Sequence, residues 1–268
     1  MHHRPIRLVA IDLDGTLLND AKRVTERTVD ALRCAAGTGV RIIIASARPP
    51  RSVRHVYREL NLDTWQINYN GALIWDEANR RAVEHRPMAP ETVLELVSLA
   101  RERHPDVLVS CEILDRWCTD RFDQTYTTET GRLFPPDVVA PVGQFCVEPV
   151  TKLMLLAAAA TLDELEPALR ETALPVSVIR SDPDLIQVMT HSADKGVALR
   201  KVAEHYGVAP EQVMAIGDAV NDVPMLEAAG VAVAMDNAHP AVKAAADWVA
   251  PSNNDHGVHA ALERYGMC

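Results

Sequence analysis

The chain has 268 residues, of which 48% are hydrophobic and 24% are charged, and its formal net charge is −10. This composition is that of a folded globular protein with one large domain or two smaller ones. The negative charge argues against a nucleic-acid partner, and no stretch reaches the roughly 18 consecutive apolar residues of a membrane-spanning helix. Five cysteines without a Cys-x-x-Cys pair, and a first strand close to Met1, predict free thiols, no signal peptide and a cytoplasmic location.

The first predicted element is a buried strand that ends in two acids. Residues 7–11 form an apolar run typical of a parallel strand, and Asp12 and Asp14 follow it directly. Ligands bind at the carboxyl ends of the strands in an open α/β sheet. Gly15 permits a sharp turn, and Thr16 can bond that turn locally. Two carboxylates this close repel unless a cation lies between them, and Mg²⁺ is the natural candidate; a metal-free Asp-Gly turn is the alternative at this point.

The chain continues with alternating helices and strands. Helical periodicity predicts a helix over 25–38, and an Ile-rich run predicts a buried strand over 40–45 that ends at Ser46. A third apolar stretch covers 65–69. This alternation predicts an α/β fold with a Rossmann-like, doubly wound parallel sheet. Because right-handed crossovers make such strands parallel, Asp12 and Ser46 are expected to face one crevice.

The pattern changes over residues 85–189. A helix and a pair of strands occur there twice, which predicts an inserted α+β domain. The catalytic core is then discontinuous and consists of residues 1–84 and 190–268. His191 lies beside the second boundary, where it is either a substrate contact or an ordinary structural or solvated histidine.

The alternating pattern resumes with a helix that begins at Lys195 and a strand over 213–216, which is followed by Asp218 and Asp222. Each polar residue has an ordinary alternative. Ser46 suits a helix cap, Lys195 a solvated charge, and Asp218 a turn. Together, four acids, a hydroxyl and a lysine at one edge of a sheet predict a site for a phosphoryl group and a metal ion.

Four motifs carry this predicted site: Asp12-Leu13-Asp14-Gly15-Thr16, Ser46, Lys195 and Gly217-Asp218-x-x-Asn221-Asp222. Three further motifs accompany them: Asn70-Gly71-Ala72, Lys195-Gly196-x-Ala198-Leu199 and Asn254-Asp255-x-Gly257-Val258. The first set resembles the motifs of the haloacid dehalogenase-like hydrolase superfamily, and the second resembles its Cof-type sugar-phosphatase-like branch. One departure is Ala47, because the family usually has Gly between the hydroxyl residue and Arg48.

The resemblance implies a role for each residue. Asp12 is the implied nucleophile, and Asp14 is the implied general acid and base, which calls for a raised pKa. The residues implied to bind the phosphoryl group are Ser46, Lys195, Gly15 and Asn221, with a bond to Asp218 as the alternative for Asn221. The residues implied to hold Mg²⁺ are Asp12, Asp14 through its backbone carbonyl, Asp218, and Asp222 either through water or by orienting Lys195.

We therefore expect a Mg²⁺-dependent phosphatase of small phosphorylated metabolites, sugar phosphates above all, in which the insert is a cap that sets substrate specificity. One alternative is a sugar phosphomutase of the same superfamily, which returns the phosphoryl group to sugar. Another is a non-enzymatic phospho-acceptor signalling domain, although such domains are shorter and have no cap. We expect neither a nucleic-acid nor a membrane partner, and both a monomer and a homodimer remain open.

Overall fold

A computed structural model describes residues 5–122, 125, 126 and 128–268 of the chain. The chain forms two compact units. The first, called the core below, consists of the chain up to Glu84 together with Asp194–Cys268. The second, called the insert, is His85–Ala193. In the ranges just given, no helix combines the length and the apolar character needed to cross a lipid bilayer.

The elements are numbered in chain order. The strands are β1 (Leu8–Ile11), β2 (Arg41–Ile44), β3 (Gln66–Asn68), β4 (Leu73–Asp76), β5 (Arg81–His85), β6 (Leu108–Ile113), β7 (Arg116–Thr119), β8 (Val138–Val139), β9 (Lys152–Leu156), β10 (Val176–Asp182), β11 (Leu185–Thr190), β12 (Val213–Gly217), β13 (Val231–Met235) and β14 (Trp248–Ala250). The helices are α1 (Glu26–Gly37), α2 (Pro50–Leu60), α3 (Pro90–Arg103), α4 (Glu129–Leu133), α5 (Val142–Phe145), α6 (Ala159–Arg170), α7 (Lys195–His205), α8 (Val223–Glu227), α9 (Pro240–Ala244) and α10 (Gly257–Arg264).

A parallel sheet with the order β14-β13-β12-β1-β2 organises the core. Every side chain of β1 is buried, as its unbroken apolar sequence requires of a strand covered on both faces. The register places Ile11 opposite both Ile44 and Ile216, so β1, β2 and β12 end at one level. The residues that follow these strands therefore emerge at the same edge of the sheet.

The core helices fall into two groups by their contacts. Helix α1 packs against α2 and α10, whereas α7 packs against α8. Within the sheet, β2 lies next to β1 on one side, whereas β12, β13 and β14 extend from the other side of β1. The gap between β1 and β12 is therefore a point where the strand order reverses, which is where ligands bind in doubly wound sheets. The predicted fold class, a doubly wound parallel core with an inserted α+β region, is confirmed.

The third predicted strand differs in part from its expectation. Residues 65–69 contribute β3, which meets the parallel sheet through one bridge between Ala45 and Ile67. It then pairs antiparallel with β4 in a small sheet of order β3-β4-β5. The tight turn between β3 and β4 leaves no room for a crossover helix, so these two strands cannot be parallel.

The insert has its own sheet and its own apolar cluster. The sheet order is β10-β11-β9-β6-β7-β8, and its pairs are antiparallel except β7 with β8. Side chains at alternate positions of β6, such as Val109 and Ile113, share a buried cluster with Leu96 of α3 and Leu165 of α6. The intervening residues, including Glu112, point to the opposite face. The insert extends to Ala193, whose N–H donates to Thr190 O at 3.1 Å.

The expectation of five free thiols is wrong for two cysteines. Cys34 in α1 and Cys268 at the end of the chain form a disulfide across 234 residues of sequence. Their proximity follows from the packing of α1 against α10, which local cysteine spacing cannot show. Cys111, Cys118 and Cys146 are free and buried in the insert.

Candidate active site

The loop after β1 makes a tight turn that the predicted acids share. Asp12 N donates to Ile216 O at 2.9 Å, which ties the loop to β12. Gly15 has φ +81°, and a Cβ there would collide with the carboxylate of Asp218, so only glycine fits. The sequence predicted that Thr16 bonds its own turn. Its Oγ1 instead donates to Asp218 Oδ1 at 2.7 Å, in the loop after β12. The two acidic loops are therefore in direct contact.

Lys195 lies between two carboxylates. Its Nζ is 2.6 Å from Asp12 Oδ1 and 2.6 Å from Asp222 Oδ1, and the residue is 1% exposed. It is the first residue of α7, whose N-terminus is capped by the Asp194 carboxylate, an acceptor from Val197 N at 2.7 Å. The alternative of a solvated surface lysine is therefore wrong.

Asp222 shapes the loop that carries Asp218. Its Oδ2 accepts hydrogen bonds from the N–H groups of Asp218 and Ala219, both at 3.0 Å, while Oδ1 accepts from Lys195. The side chain is 0% exposed. Since both oxygens already have donors, Asp222 suits the role of orienting Lys195 better than direct contact with a metal.

The electrostatics of this cluster leave negative charge uncompensated. Burial, and then the charge of Asp222, raise the pKa of Asp12 well above its usual value. Burial also raises the pKa of Asp218. Burial alone would lower the pKa of Lys195, but the charges of Asp12 and Asp222 raise it above its usual value. The ammonium is therefore charged, and three carboxylates against one ammonium leave an excess that matches one divalent cation.

The donor set fits Mg²⁺. Asp12, Asp218 and Asp222 each offer a carboxylate oxygen, and these oxygens lie within 4.8 Å of one another. In the part of the chain that the structure describes, Oδ2 of Asp12 and Oδ2 of Asp218 accept no hydrogen bond, so each is free to act as a ligand. Carboxylate oxygens are the ligands that Mg²⁺ prefers.

The side chain of Asp14 lies apart from that acidic group, in contact with two cations. Arg48 donates from Nε to Asp14 Oδ2 at 2.6 Å and from one terminal nitrogen to Oδ1 at 2.5 Å. Lys22 Nζ donates to Oδ1 at 2.7 Å. Burial alone would raise the pKa of Asp14, but Arg48 and then Lys22 lower it below its usual value. The expectation of a raised pKa is therefore wrong for this state, because sequence gave no sign that two cations meet Asp14.

Ser46 and Asn221 are connected through a residue to which sequence analysis assigned no role. Ser46 is 1% exposed, and its Oγ accepts from Arg48 N at 3.1 Å. It does not cap α2, whose N-cap is Pro49. Asn70 N donates to Ser46 O at 3.1 Å, and Asn70 Oδ1 accepts from Asn221 Nδ2 at 2.8 Å. The predicted phosphate-binding residues Ser46 and Asn221 therefore have one common neighbour.

Two further asparagines hold the loop of Asp12 from the C-terminal side. Asn237 Nδ2 donates to Gly15 O at 2.8 Å, and its Oδ1 accepts from Asn253 N at 3.0 Å. Asn253 Nδ2 donates to Leu18 O at 3.0 Å. Neither residue was predicted to belong to the site, although Asn253 directly precedes the third of the Cof-type motifs.

His191 belongs to the insert and has a local partner there. Its Nδ1 lies 3.0 Å from Pro175 O, and its backbone N–H donates to the same carbonyl at 3.1 Å. These contacts favour the structural interpretation of this histidine over the substrate contact.

The fold and this geometry agree with the comparison to known proteins. The family model for haloacid dehalogenase-like hydrolases matches residues 9–262, which is nearly the whole chain. The chain belongs to this family, in its Cof-type branch, and is a phosphoric monoester hydrolase, whose substrates are small phosphorylated molecules.

Individual relatives match over nearly their full lengths. YxeH of Bacillus subtilis is 33% identical over 270 residues, covering 96% of this chain and 97% of that protein. The 5-amino-6-(5-phospho-D-ribitylamino)uracil phosphatase YcsE of Bacillus subtilis is 30% identical, with 97% of this chain and 96% of that protein covered. The crystal structure of a haloacid dehalogenase-like hydrolase from Bacteroides thetaiotaomicron superposes with a TM-score of 0.87 at 28% identity, covering 97% of this chain and 99% of that one.

Proposed function

We propose that this phosphatase hydrolyses the phosphate esters of small polyhydroxylated metabolites, sugar phosphates above all, with Mg²⁺ and through an aspartyl-phosphate at Asp12. The observation that supports the reaction is the placement of Lys195 between Asp12 and Asp222, with Asp218 beside them. The substrate class is supported by YcsE, whose named substrate carries its phosphate on a ribityl chain.

Asp12 would attack phosphorus. Lys195 holds Oδ1 through a 2.6 Å hydrogen bond, which fixes the orientation of the carboxylate. Attack by one carboxylate oxygen of Asp12 on phosphorus would form the acyl phosphate and break the bond to the ester oxygen. Mg²⁺ bound by Asp12 and Asp218 would neutralise charge on the phosphoryl oxygens. Lys195 and the Ser46 hydroxyl would bind the remaining phosphoryl oxygens, with Asn221 and the Gly15 turn beside them.

Asp14 would act as the general acid and then as the general base. It must donate a proton to the departing alkoxide and then take one from the water that hydrolyses the acyl phosphate. With Arg48 and Lys22 bound to it, Asp14 is a carboxylate, which is the form that accepts a proton from water. Proton donation in the first step requires those two cations to move to the substrate phosphate, a competing anion that binds the same groups, so that Asp14 takes up a proton from solvent and then transfers it to the departing alkoxide.

The insert would determine which ester is accepted. One face of its sheet is covered by α3 and α6, whereas Glu112 and Gln187 lie at positions that alternate away from that face. Replacing Gln187 by Ala should lower kcat/KM for the best metabolite and leave kcat/KM for p-nitrophenyl phosphate unchanged. Equal losses on both substrates would contradict a specificity role for this face.

The experiment that tests the function is a screen of phosphorylated sugars, polyols and nucleotides with purified protein and Mg²⁺, measured as phosphate release. Hydrolysis without a sugar bisphosphate activator separates a phosphatase from a phosphomutase, because a mutase must return its phosphoryl group to sugar. The Asp12→Asn variant is the control. Release of phosphate by that variant at the wild-type rate would contradict the proposal.

We also propose a cytoplasmic location and a monomeric or homodimeric state. The disulfide between Cys34 and Cys268 favours an oxidising compartment, whereas in a reducing one both residues would be thiols, so trapping thiols in intact cells before lysis tests the location. Light scattering behind a size-exclusion column gives the oligomeric state.

A further inference from the structure

The turn between β3 and β4 adopts a costly backbone conformation. Tyr69 has φ +48° and Asn70 has φ +55°, and Gly71 follows with φ +93°. A left-handed conformation is unfavourable for tyrosine and tolerable for asparagine, so two such residues in succession persist only where the surroundings impose them. Tyr69 is fully buried. The fold therefore maintains this turn against its intrinsic preference.

The turn contacts three segments that carry predicted site residues. Asn70 N donates to the carbonyl of Ser46, at the end of β2. Asn70 Oδ1 accepts from Asn221 Nδ2, in the loop after β12. Gly71 lies so close to the carbonyl of Asp194, directly before Lys195, that a Cβ would collide with it. The strained turn thus fixes the distances among these three segments.

The hydrogen bond between Asn70 and Asn221 fixes the orientation of the Asn221 side-chain amide. A free amide can rotate by half a turn and exchange its oxygen for its nitrogen. Asn70 Oδ1 is an acceptor, so it holds the nitrogen of Asn221 on its own side and uses one of the two N–H groups. The second N–H remains to donate. An anion such as a phosphoryl group requires a donor at this position and is repelled by a carbonyl oxygen.

We propose that Asn70 is a positioning residue that holds the Asn221 amide in the orientation that donates to the phosphoryl group of the substrate, a role that rests on the proposed function. Asn70 acts through Asn221 and does not itself touch the reacting atoms. The turn Asn70-Gly71-Ala72 is thereby part of the phosphate-binding apparatus rather than a connection between two strands.

Two glycine variants separate the side chain from the backbone. In Asn70→Gly the left-handed backbone is retained at no steric cost and only the acceptor is lost. Asn61→Gly is the matched control, since Asn61 also has a left-handed φ of +52° but lies at the end of α2. The dissociation constant of inorganic phosphate in the presence of Mg²⁺, measured by calorimetry, and the KM for p-nitrophenyl phosphate are the two measurements.

We expect Asn70→Gly to weaken phosphate binding and raise KM by about tenfold, the value of one hydrogen bond to a charged group, with a smaller change in kcat. Asn61→Gly should change neither quantity. Asn221→Ala should weaken phosphate binding as much as Asn70→Gly, and the double variant no more than either, because both changes remove the same contact.

Wild-type phosphate binding in Asn70→Gly would overturn the inference, as would losses that add in the double variant. If the proposed function is wrong, the measurements give a different result. Wild-type protein would then bind phosphate without hydrolysing esters, or Asp12→Asn would hydrolyse them, while the comparison of phosphate dissociation constants would still test Asn70.

Discussion

Replacing Lys195 by Gln should destabilise the metal-free protein by several kcal/mol. The Nζ atom is fully buried and lies 2.6 Å from both Asp12 Oδ1 and Asp222 Oδ1. Removing one partner of a buried ion pair costs about 3–5 kcal/mol, because the remaining charge stays buried without compensation. Here two carboxylates lose the same cation, although glutamine still donates one hydrogen bond, so we expect about 4 kcal/mol. A loss of that size lowers Tm by roughly 10 °C in a chain of this length.

The chain offers a matched control. Lys22 makes an ion pair with Asp14 at 2.7 Å, nearly the same distance, but its side chain is 50% exposed. Exposed pairs contribute about 0–1 kcal/mol, because solvent screens them. Lys22→Gln should therefore be nearly neutral. Both variants are compared with wild type by urea unfolding in excess chelator, followed by circular dichroism.

A second substitution tests the cause. In the wild-type background, Asp12→Asn removes a carboxylate whose pKa is already raised by burial and Asp222, so it should raise the free energy of unfolding only slightly, because the lost ion pair with Lys195 offsets the gain. In the Lys195→Gln background, the same change removes an uncompensated charge and should raise the free energy of unfolding more. Two results would contradict this prediction: a Lys195→Gln effect as small as that of Lys22→Gln, or an Asp12→Asn effect in the Lys195→Gln background no larger than in wild type.

Three other predictions concern catalysis and pH. Asp12→Asn should lower kcat by about four orders of magnitude or more without loss of structure, and a variant above a tenth of the wild-type rate would exclude a nucleophile at this position. Chelator should abolish hydrolysis, Mg²⁺ should restore it and Ca²⁺ should inhibit, since Ca²⁺ accepts more ligands and occupies the nucleophile; full activity in chelator would contradict this. Burial lowers the pKa of His85 from 6.5 to about 4, so between those pH values this histidine binds a proton in the unfolded chain but not in the folded one. The contribution of His85 to the free energy of unfolding should then fall as pH decreases from 6.5 to 4, so wild type should lose more stability over this range than His85→Gln, as measured by urea unfolding at several pH values.

The parallel sheet of the core was predictable because its strands are short unbroken apolar runs. β1 and β12 are buried on both faces, and their almost entirely apolar sequences predict this burial. The edge strands β14 and β5 were missed, since partly exposed strands carry no such run. β4 was missed although it is buried, because it is a short strand joined to β3 by a tight turn. Their existence depends on neighbours that only the folded chain supplies.

The acids and the lysine of the site were predictable for a related reason. Each follows a recognisable strand or begins a helix, and parallel strands bring such ends together. The partners of Asp14 were not predictable, because side chains as long as Lys22 and Arg48 reach in directions that sequence does not fix. The lowered pKa of Asp14 follows from those contacts, so its direction could not be known before the structure was available.

The adjacency of β1 and β12 has a consequence for the order in which the chain folds. These two strands pair in register although Leu8 and Val213 are separated by the whole insert. The insert makes its own sheet and apolar cluster from residues 85–193, so its contacts are available earlier during synthesis on the ribosome. The central strand pair, and with it the meeting of Asp12 with Asp218, must wait until β12 has emerged. Contacts between residues so far apart in the sequence form slowly, so the site should be among the last parts of the nascent chain to assemble.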